Sequence, residues 1–548
     1  MESEKHDRFR KLEKEAYDVI VVGTGIGGLT TAALLAKRGK SVLAIDMHYA
    51  LGGCATVFYR KGYEFDVGVH YIGDCREGGL IPRILRGAGV TDIEFLEQDP
   101  EGFDTLVFPD WRFKVPRGVE AFRARLVQEF PAEVRGIDRY LGYLRQLWAL
   151  MGVPSDPTSA FSVLPRSFVA LRHLNATVGE FLDTCTKDTR LRAVLTGQLG
   201  VYHQPPSRAS MAGHAGVSMH FLQGSFYPRG GGQALSDGLA DTIERNGGKI
   251  LLRTTAHRIV VENGRAVGVE IENSHLGRRI VRAPVVISNA DLKTTLLQLV
   301  GADKLKTSTV RKTRGYEMAP GMGIVYLGVK RDMQAEGVPN TNYRLYPSYD
   351  YEPAYRDIFQ GRFPEEHAVF IGNASLKDPT NPKVAPPGII NMQLMSVVPS
   401  SPESWGTTRA EMESGKYRDN ARYLAIKEEY AAKLVRTAEK VFPGLREQIV
   451  YQEISTPHTV TRYTGASMGT SYGIAMIPSQ FLLGRPGAKT EIEGLYLCGA
   501  SLRTGHGIFG AMTSGVEAAA QVLGHRLLRE VLGPSSLAAA GVSSARAA

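Results

Sequence analysis

A chain of 548 residues with 43% apolar and 22% charged side chains has an ordinary globular composition and room for two interleaved domains, which excludes wholesale disorder and a polytopic membrane protein. Its formal net charge of +9 favours anionic surfaces or ligands, but no basic block interleaved with aromatics argues for nucleic acid. The cysteines, Cys54, Cys75, Cys185 and Cys498, stand apart without C-x-x-C spacing, so neither a disulfide framework nor a metal site is read, and a reducing, cytoplasmic setting is expected. The opening MESEKHDRFRKLEKEAY lacks the apolar stretch of a secretory signal, and no run of about 18 apolar residues is available to span a bilayer.

The strongest local signal comes first. Residues 17–22, YDVIVV, feed Gly23-Thr-Gly25-Ile-Gly27-Gly28, then an amphipathic run and SVLAID ending at Asp46. This order predicts strand, tight turn, helix and second strand, the arrangement of a dinucleotide-binding unit. Gly23 permits the turn, Gly25 lets backbone approach a pyrophosphate, and Gly28 allows close helix–strand packing. The helix start offers free N–H groups to negative charge, and Asp46 offers acceptors to ribose hydroxyls. Gly52-Gly53 follow, and Cys54 through Gly73 reads as a hairpin-like run punctuated by aromatics and glycines.

Further along, apolar spacing predicts helices through Phe122, Leu126 and Phe130 and through Ile137, Leu141, Leu144 and Trp148. Residues 161–174, FSVLPRSFVALRHL, read as a short helix from Pro165, with Phe168, Leu171 and Leu174 toward one face and Arg166 and Arg172 beside them. That segment is either a peripheral membrane contact or an internal helix lining a substrate pocket. The RGGGQAL run near Gly231 follows aromatic residues and proline, so it is not a second nucleotide motif. GMGIVYLGV, HAVFIGN and GIINMQLMSVV read as strands, and a long helix through Tyr430, Leu434 and Val441 is stopped by Pro443. GLYLCGA is a buried strand running into Gly499, and GHGIFGAMTSGVEAAAQVLG is a glycine-rich entry into a helix.

With Gly52-Gly53-Cys54, Gly68-Val-His70-Tyr71-Ile-Gly73, GSFYPRGGGQALSDGL, Ser-Asn289-Ala-Asp291 and the segments Thr456–Tyr463 and 494–519 in view, the chain resembles the carotenoid desaturase, carotenoid isomerase and retinol saturase group of FAD-dependent oxidoreductases, most closely the retinol saturase branch. The resemblance implies an α/β fold: a glutathione-reductase-type, Rossmann-like FAD-binding domain with an interleaved α+β substrate domain. The expected pieces are 15–110, 224–300 and 456–530 for the FAD domain and 111–223 and 301–455 for the substrate domain, with a disordered tail at 531–548. It further implies cofactor contacts at Gly23, Gly25, Gly27, Gly28, Asp46, Gly52, Gly53, Cys54, His257, Ile259, Asn289, Asp291, Gly499, Ala500 and Gly507. Ile508 and Phe509 would contribute backbone N–H groups, and the RGGGQAL run would lie near substrate.

The implied chemistry is redox at carbon–carbon bonds of an apolar polyene or isoprenoid, with NAD(P)H a transient reductant. Saturation needs a proton donor, for which His70, Tyr71 and His506 are the candidates; a packed tyrosine and backbone-bonded histidines are the plain alternatives. Cys54 reads as a reactive thiol or a small buried hydrophobe, and Arg462 and Arg503 as phosphate or head-group contacts or as salt-bridge partners. Desaturase and isomerase activity remain open, as do an amine oxidase and a flavin-free prenyl-binding chaperone, against which the complete glycine set argues.

Overall fold

The computed structural model describes residues 14–152 and 159–533 together with Arg8 and Leu12. Two all-buried strands, Val19–Val22 and Val42–Ile45, with the largely buried Lys249–Leu251, Val285–Ser288 and Leu495–Leu497, make one parallel five-stranded sheet. The first strand is central, flanked by the second and fourth, and the others form the edges. Such near-continuous apolar strands need both faces covered. Helix Ile26–Ala36 is buried along its whole length, packed against helices Gly231–Arg245 and Gly507–Leu523. The opposite face carries the three-stranded antiparallel sheet of Thr254–Glu262, Arg265–Asn273 and Gly277–Arg282, with Ile259, Val269, Ile271 and Val281 in the core between.

A second, seven-stranded sheet runs in the order Ile449–Ser455, Gly321–Val329, Ile390–Val398, Val369–Asn373, Asn342–Leu345, Asp104–Val107, Arg112–Val115. All its pairs are antiparallel except Asn342–Leu345 with Asp104–Val107. The period-2 alternation of a strand divides its two faces. Val325, Leu327 and Val329 pack under helix Ala421–Ala438 through Tyr430, Leu434 and Val435, whereas Met322, Ile324 and Tyr326 line the cavity described below. Helices Val119–Glu129 and Val134–Gly152 bury the apolar residues that the sequence spacing picks out.

Several expectations shift. Strand Asp104–Val107 belongs to the seven-stranded sheet, so the first FAD piece gives way before residue 104, not at 110. Helix Ala421–Ala438 ends before Val441, short of Pro443. The tail expected from residue 531 still carries helix Arg526–Leu532, whose Val531 and Leu532 are buried; residues 534–548 lie outside the described residues. The RGGGQAL run enters helix Gly231–Arg245, tied by Gly232 N–H to Asp66 Oδ1 at 3.2 Å and by Gly230 N–H to Asp378 Oδ2 at 2.9 Å. Those bonds make it a buttress behind the hairpin Val57–Asp66, away from the cavity wall.

Trp405 is fully buried in the second core, donates from Nε1 to Pro399 O at 2.9 Å, and meets Phe363 edge-on at 5.0 Å. Trp405→Ala is expected to cost about 3–5 kcal/mol of stability, the usual effect of emptying so large a buried site, measured as a shift in denaturation midpoint. Because Trp405 lies outside the cavity, the protein that remains folded should keep its full cofactor content.

Candidate functional site

The C-terminal ends of the parallel strands open on one continuous cavity of about 710 Å³, bounded on its far side by the seven-stranded sheet, within the range of small-molecule sites. Gly23 lies at φ +94° and donates to Ile45 O at 2.8 Å, a turn that an L side chain resists. The next glycines are explained by Asn289, delivered by strand Val285–Ser288. Its Oδ1 accepts from Gly28 N–H at 3.1 Å. A Cβ on Gly25 would stand 2.6 Å from Asn289 Nδ2, one on Gly27 2.8 Å from Asn289 Oδ1, and one on Gly28 2.1 Å from Gly23 O. The turn therefore closes on a side chain from a strand 261 residues away in sequence.

Gly23, Gly25, Gly27, Asp46, Gly52, Gly53 and Cys54 all line the cavity. Asp46 Oδ2 accepts from Thr24 N–H at 2.7 Å and Oγ1 at 2.8 Å, and its Oδ1 from His48 N–H at 2.9 Å. Gly52 and Gly53 both have positive φ, and a Cβ on Gly53 would meet Gly25 Cα at 3.1 Å. The two glycine turns thus interlock backbone to backbone. Burial pushes the Cys54 thiol up, which favours the small-hydrophobe reading over a reactive thiolate.

Asn289, Asp291, Gly499, Ala500, Gly507 and Ile508 line the same cavity. Asp291 is spent on structure: its carboxylate accepts from Lys293 and Thr294 N–H and from Ser467 N–H and Oγ, between 2.7 and 3.0 Å. Helix Gly507–Leu523 begins at the cavity with no side-chain cap on its first turn. Gly28 and Phe509 lie behind the wall; the Phe509 ring packs near Trp148 and His220, leaving only its backbone for the role expected of it.

Three expected residues stand elsewhere. His257 is the extra residue of a β-bulge, where the ladder steps from Ala256 opposite Ile271 to Arg258 opposite Glu270. A bulge re-aims a side chain, and Nε2 of His257 lies 2.7 Å from Glu272 Oε2. Ile259 is buried between the sheets. The cavity wall there consists of Thr254, Thr255 and Ala256. His506 is also behind the wall, with Nε2 3.0 Å from Val201 O, and burial followed by the nearby Arg485 charge pushes it down to about 3. It is therefore neutral. Of the two arginines, Arg462 lines the cavity and Arg503 does not.

His70 and Tyr71 line the cavity where the hairpin segment meets the seven-stranded sheet. Burial, then the Lys377 charge, push His70 down to about 3, so it carries no acidic proton at neutral pH. Tyr71 is stacked on Phe221 at 4.4 Å and faces Phe370 at 5.8 Å. Its hydroxyl is bonded by Arg344. Lys377 donates to His70 O at 2.7 Å, and burial pushes its ammonium down to about 7 against the pull of Asp66 and Asp104.

Sequence reasoning missed Arg344, Lys377 and Arg485. Arg485 is buried without a carboxylate partner and donates to four carbonyls, those of Gln480, Ala500, Leu502 and Ile474, at 2.6–3.3 Å. Burial lowers it to about 10, still charged at neutral pH. It pins the loop that carries Gly499 and Ala500 into the cavity. No local pattern marks such a residue; an arginine inside the apolar, proline-punctuated FLLGRPGA run was the one available hint.

Two family models match parts of the chain: an NAD(P)-binding Rossmann-like domain over residues 21–87 and a flavin-containing amine oxidoreductase over residues 417–523. The chain is 28% identical to the all-trans-retinol 13,14-reductase of Danio rerio across 94% of its own length and 87% of that protein. It is also 28% identical to prolycopene isomerase 2, chloroplastic, of an Oncidium hybrid cultivar, across 93% and 84%. Among solved structures, an oxidoreductase from Methanosarcina mazei superimposes with a TM-score of 0.63 at 17% identity, covering 92% of this chain and 99% of that one.

A flavin dinucleotide fits the residues present. The glycine cradle leaves backbone alone at Gly25 and Gly53, Asp46 stands beside it, and the uncapped helix start at Gly507 closes the other end of the same cavity. Gly25→Val is expected to drive its side chain into Asn289 and remove bound flavin, read as the ratio of flavin to protein absorbance after purification. Wild-type flavin content in a folded Gly25→Val protein would contradict the placement of the site.

Proposed function

We propose that this chain, an FAD-dependent oxidoreductase of the carotenoid desaturase, carotenoid isomerase and retinol saturase group, saturates a carbon–carbon double bond of an apolar polyene or isoprenoid lipid. The observation that carries this reading is the meeting of two surfaces in one cavity: the glycine cradle on one side, and on the other an apolar wall of Met322, Ile324, Phe370 and Met395 with the Tyr71 hydroxyl set into it. A rigid polyene makes few hydrogen bonds, so such a wall holds it by burial and shape. Bound FAD supplies hydride-transfer chemistry. Tyr71 supplies the proton that the second carbon of the bond requires, since His70 is held neutral and His506 lies behind the wall.

No second dinucleotide motif accompanies the first, so the reductant is an external two-electron donor, with NAD(P)H binding transiently. A redox-neutral isomerase is the second reading, favoured by the equal identity to prolycopene isomerase 2. Protein reduced anaerobically with dithionite and given all-trans-retinol, lycopene or prolycopene separates them by product mass. A gain of two hydrogens is expected. An unchanged mass with altered double-bond geometry supports the isomerase, a loss of two hydrogens under oxidising conditions supports a desaturase, and conversion of none of the three polyenes defeats the reading.

The substrate also sets a location. Among the described residues no helix is long and apolar enough to cross a membrane, yet polyenes partition into lipid. Phe161 and Phe168 are 91% and 70% exposed, with Leu164 and Leu171 exposed beside them, and none of the four lines the cavity. That exposure supports the membrane-contact reading over the pocket-lining one. An apolar cluster flanked by Arg166 and Arg172 suits insertion among anionic head groups. Phe168→Asp with Leu171→Asp is expected to abolish flotation with phosphatidylserine-containing liposomes while the protein stays soluble and flavin-loaded; unchanged flotation would remove this face from the account.

A further inference from the structure

Behind the Tyr71 hydroxyl the wall holds an ion pair. Arg344, on the short strand Asn342–Leu345, is 4% exposed and donates from Nε to Asp104 Oδ2 at 2.9 Å. Asp104, on the neighbouring parallel strand Asp104–Val107, is fully buried, and its Oδ1 accepts from Asn342 Nδ2 at 3.0 Å. The Nη2 of Arg344 donates to Tyr71 Oη. A buried ion pair is a poor source of stability, because desolvating both charges offsets most of their attraction. Its persistence in a cavity wall calls for another use.

The hydrogen-bond geometry supplies one. A guanidinium has only donors, so the Tyr71 oxygen accepts from Arg344, and its own hydrogen is directed away from Arg344. The ring is confined between Phe221 and Phe370, and both Tyr71 and Arg344 line the cavity. Burial raises the phenol well above its usual range, and Arg344 is the neighbour that draws it back, while Asp104 and Tyr472 push it up. Burial also works against the charged form of Arg344, but Asp104, then Tyr71, outweigh it and keep the guanidinium protonated.

We propose that Arg344 is a positioning residue for proton delivery: it aims the Tyr71 hydroxyl hydrogen into the cavity and bears the charge left on the phenolate, while Asp104 fixes the guanidinium. This rests on the saturase reading above. In the balanced step one carbon of the double bond accepts a hydride from the flavin, reduced beforehand by dithionite or a nicotinamide. The other carbon forms its C–H bond as the Tyr71 O–H bond breaks. The phenolate then takes a proton from solvent.

The test uses the flavin-loaded protein, reduced with dithionite, and whichever of all-trans-retinol and lycopene the wild type saturates. Tyr71→Phe is expected to lower kcat by at least about 100-fold, in the range lost with a general acid. Arg344→Met combined with Asp104→Asn removes both charges together and is expected to lower kcat by about 10- to 100-fold with KM within about threefold, the signature of a contact made in the transition state. Arg344→Lys keeps a cation but loses the fork and should fall between that variant and the wild type. It also serves alone, with an expected loss of about 10-fold, if the double variant does not fold. A Tyr71→Phe loss without any kcat loss in the Arg344 variants would overturn the role of Arg344 and leave the saturase reading intact. Wild-type kcat in Tyr71→Phe would overturn Tyr71 as donor and the role of Arg344 with it.

Discussion

The carboxamide of Asn289 is the contact on which the rest of the site depends. It stands where three side chains would otherwise go: Cβ atoms on Gly25, Gly27 and Gly499 would each come within 2.6–3.1 Å of it. It also takes the Gly28 N–H at the start of the first helix, one of the amides a helix leaves unpaired. The glycines of the nucleotide turn are therefore required by Asn289, which occupies the place their side chains would take. That one amide locks together strands that begin near residues 19, 285 and 495.

What this lock holds open is a cavity with dissimilar walls. The Rossmann side is backbone, supplied by positive-φ glycines and an uncapped helix start. The sheet side is largely aliphatic and aromatic, with Tyr71 and Arg344 set into it and Asp104 paired to Arg344 behind the wall. Asp66 and Lys377 are buried behind this wall and do not line the cavity. Burial raises the Asp66 carboxyl to about 6 and lowers Lys377 to about 7, so near neutral pH Asp66 stays mostly ionised while the Lys377 ammonium is close to its titration midpoint. Arg344 stays charged because it faces Asp104.

Much of this was legible in the sequence because it is written locally. The strand–turn–helix at Val19–Ala36, the hairpin Val57–Asp66 and the strand into Gly499 each carry their own period and punctuation, and the long helices follow apolar spacing. The residues that escaped depend on partners far along the chain. Arg344 lies 240 residues from Asp104 and 273 from Tyr71, and Arg485 binds carbonyls with no charge pattern to betray it. His257 failed for a different reason: a one-residue bulge rotates the strand at that point, and nothing in alternating residues announces a register shift. The exposure of Phe168 was undecidable for the same reason that any short apolar helix is, since its spacing is the same facing a core or facing lipid.

The central claim is that one cavity joins a flavin cradle, locked by Asn289, to a proton-donating phenol. A crystal structure of the flavin-loaded protein tests it most directly. The account predicts the pyrophosphate against Gly23–Gly28, the flavin ring toward the start of helix Gly507–Leu523, and Tyr71 Oη across an apolar gap from the ring, still bonded to Arg344. A flavin ring on the opposite side of the hairpin from Tyr71, or an Asn289 side chain displaced from the glycine turn by the bound cofactor, would contradict it.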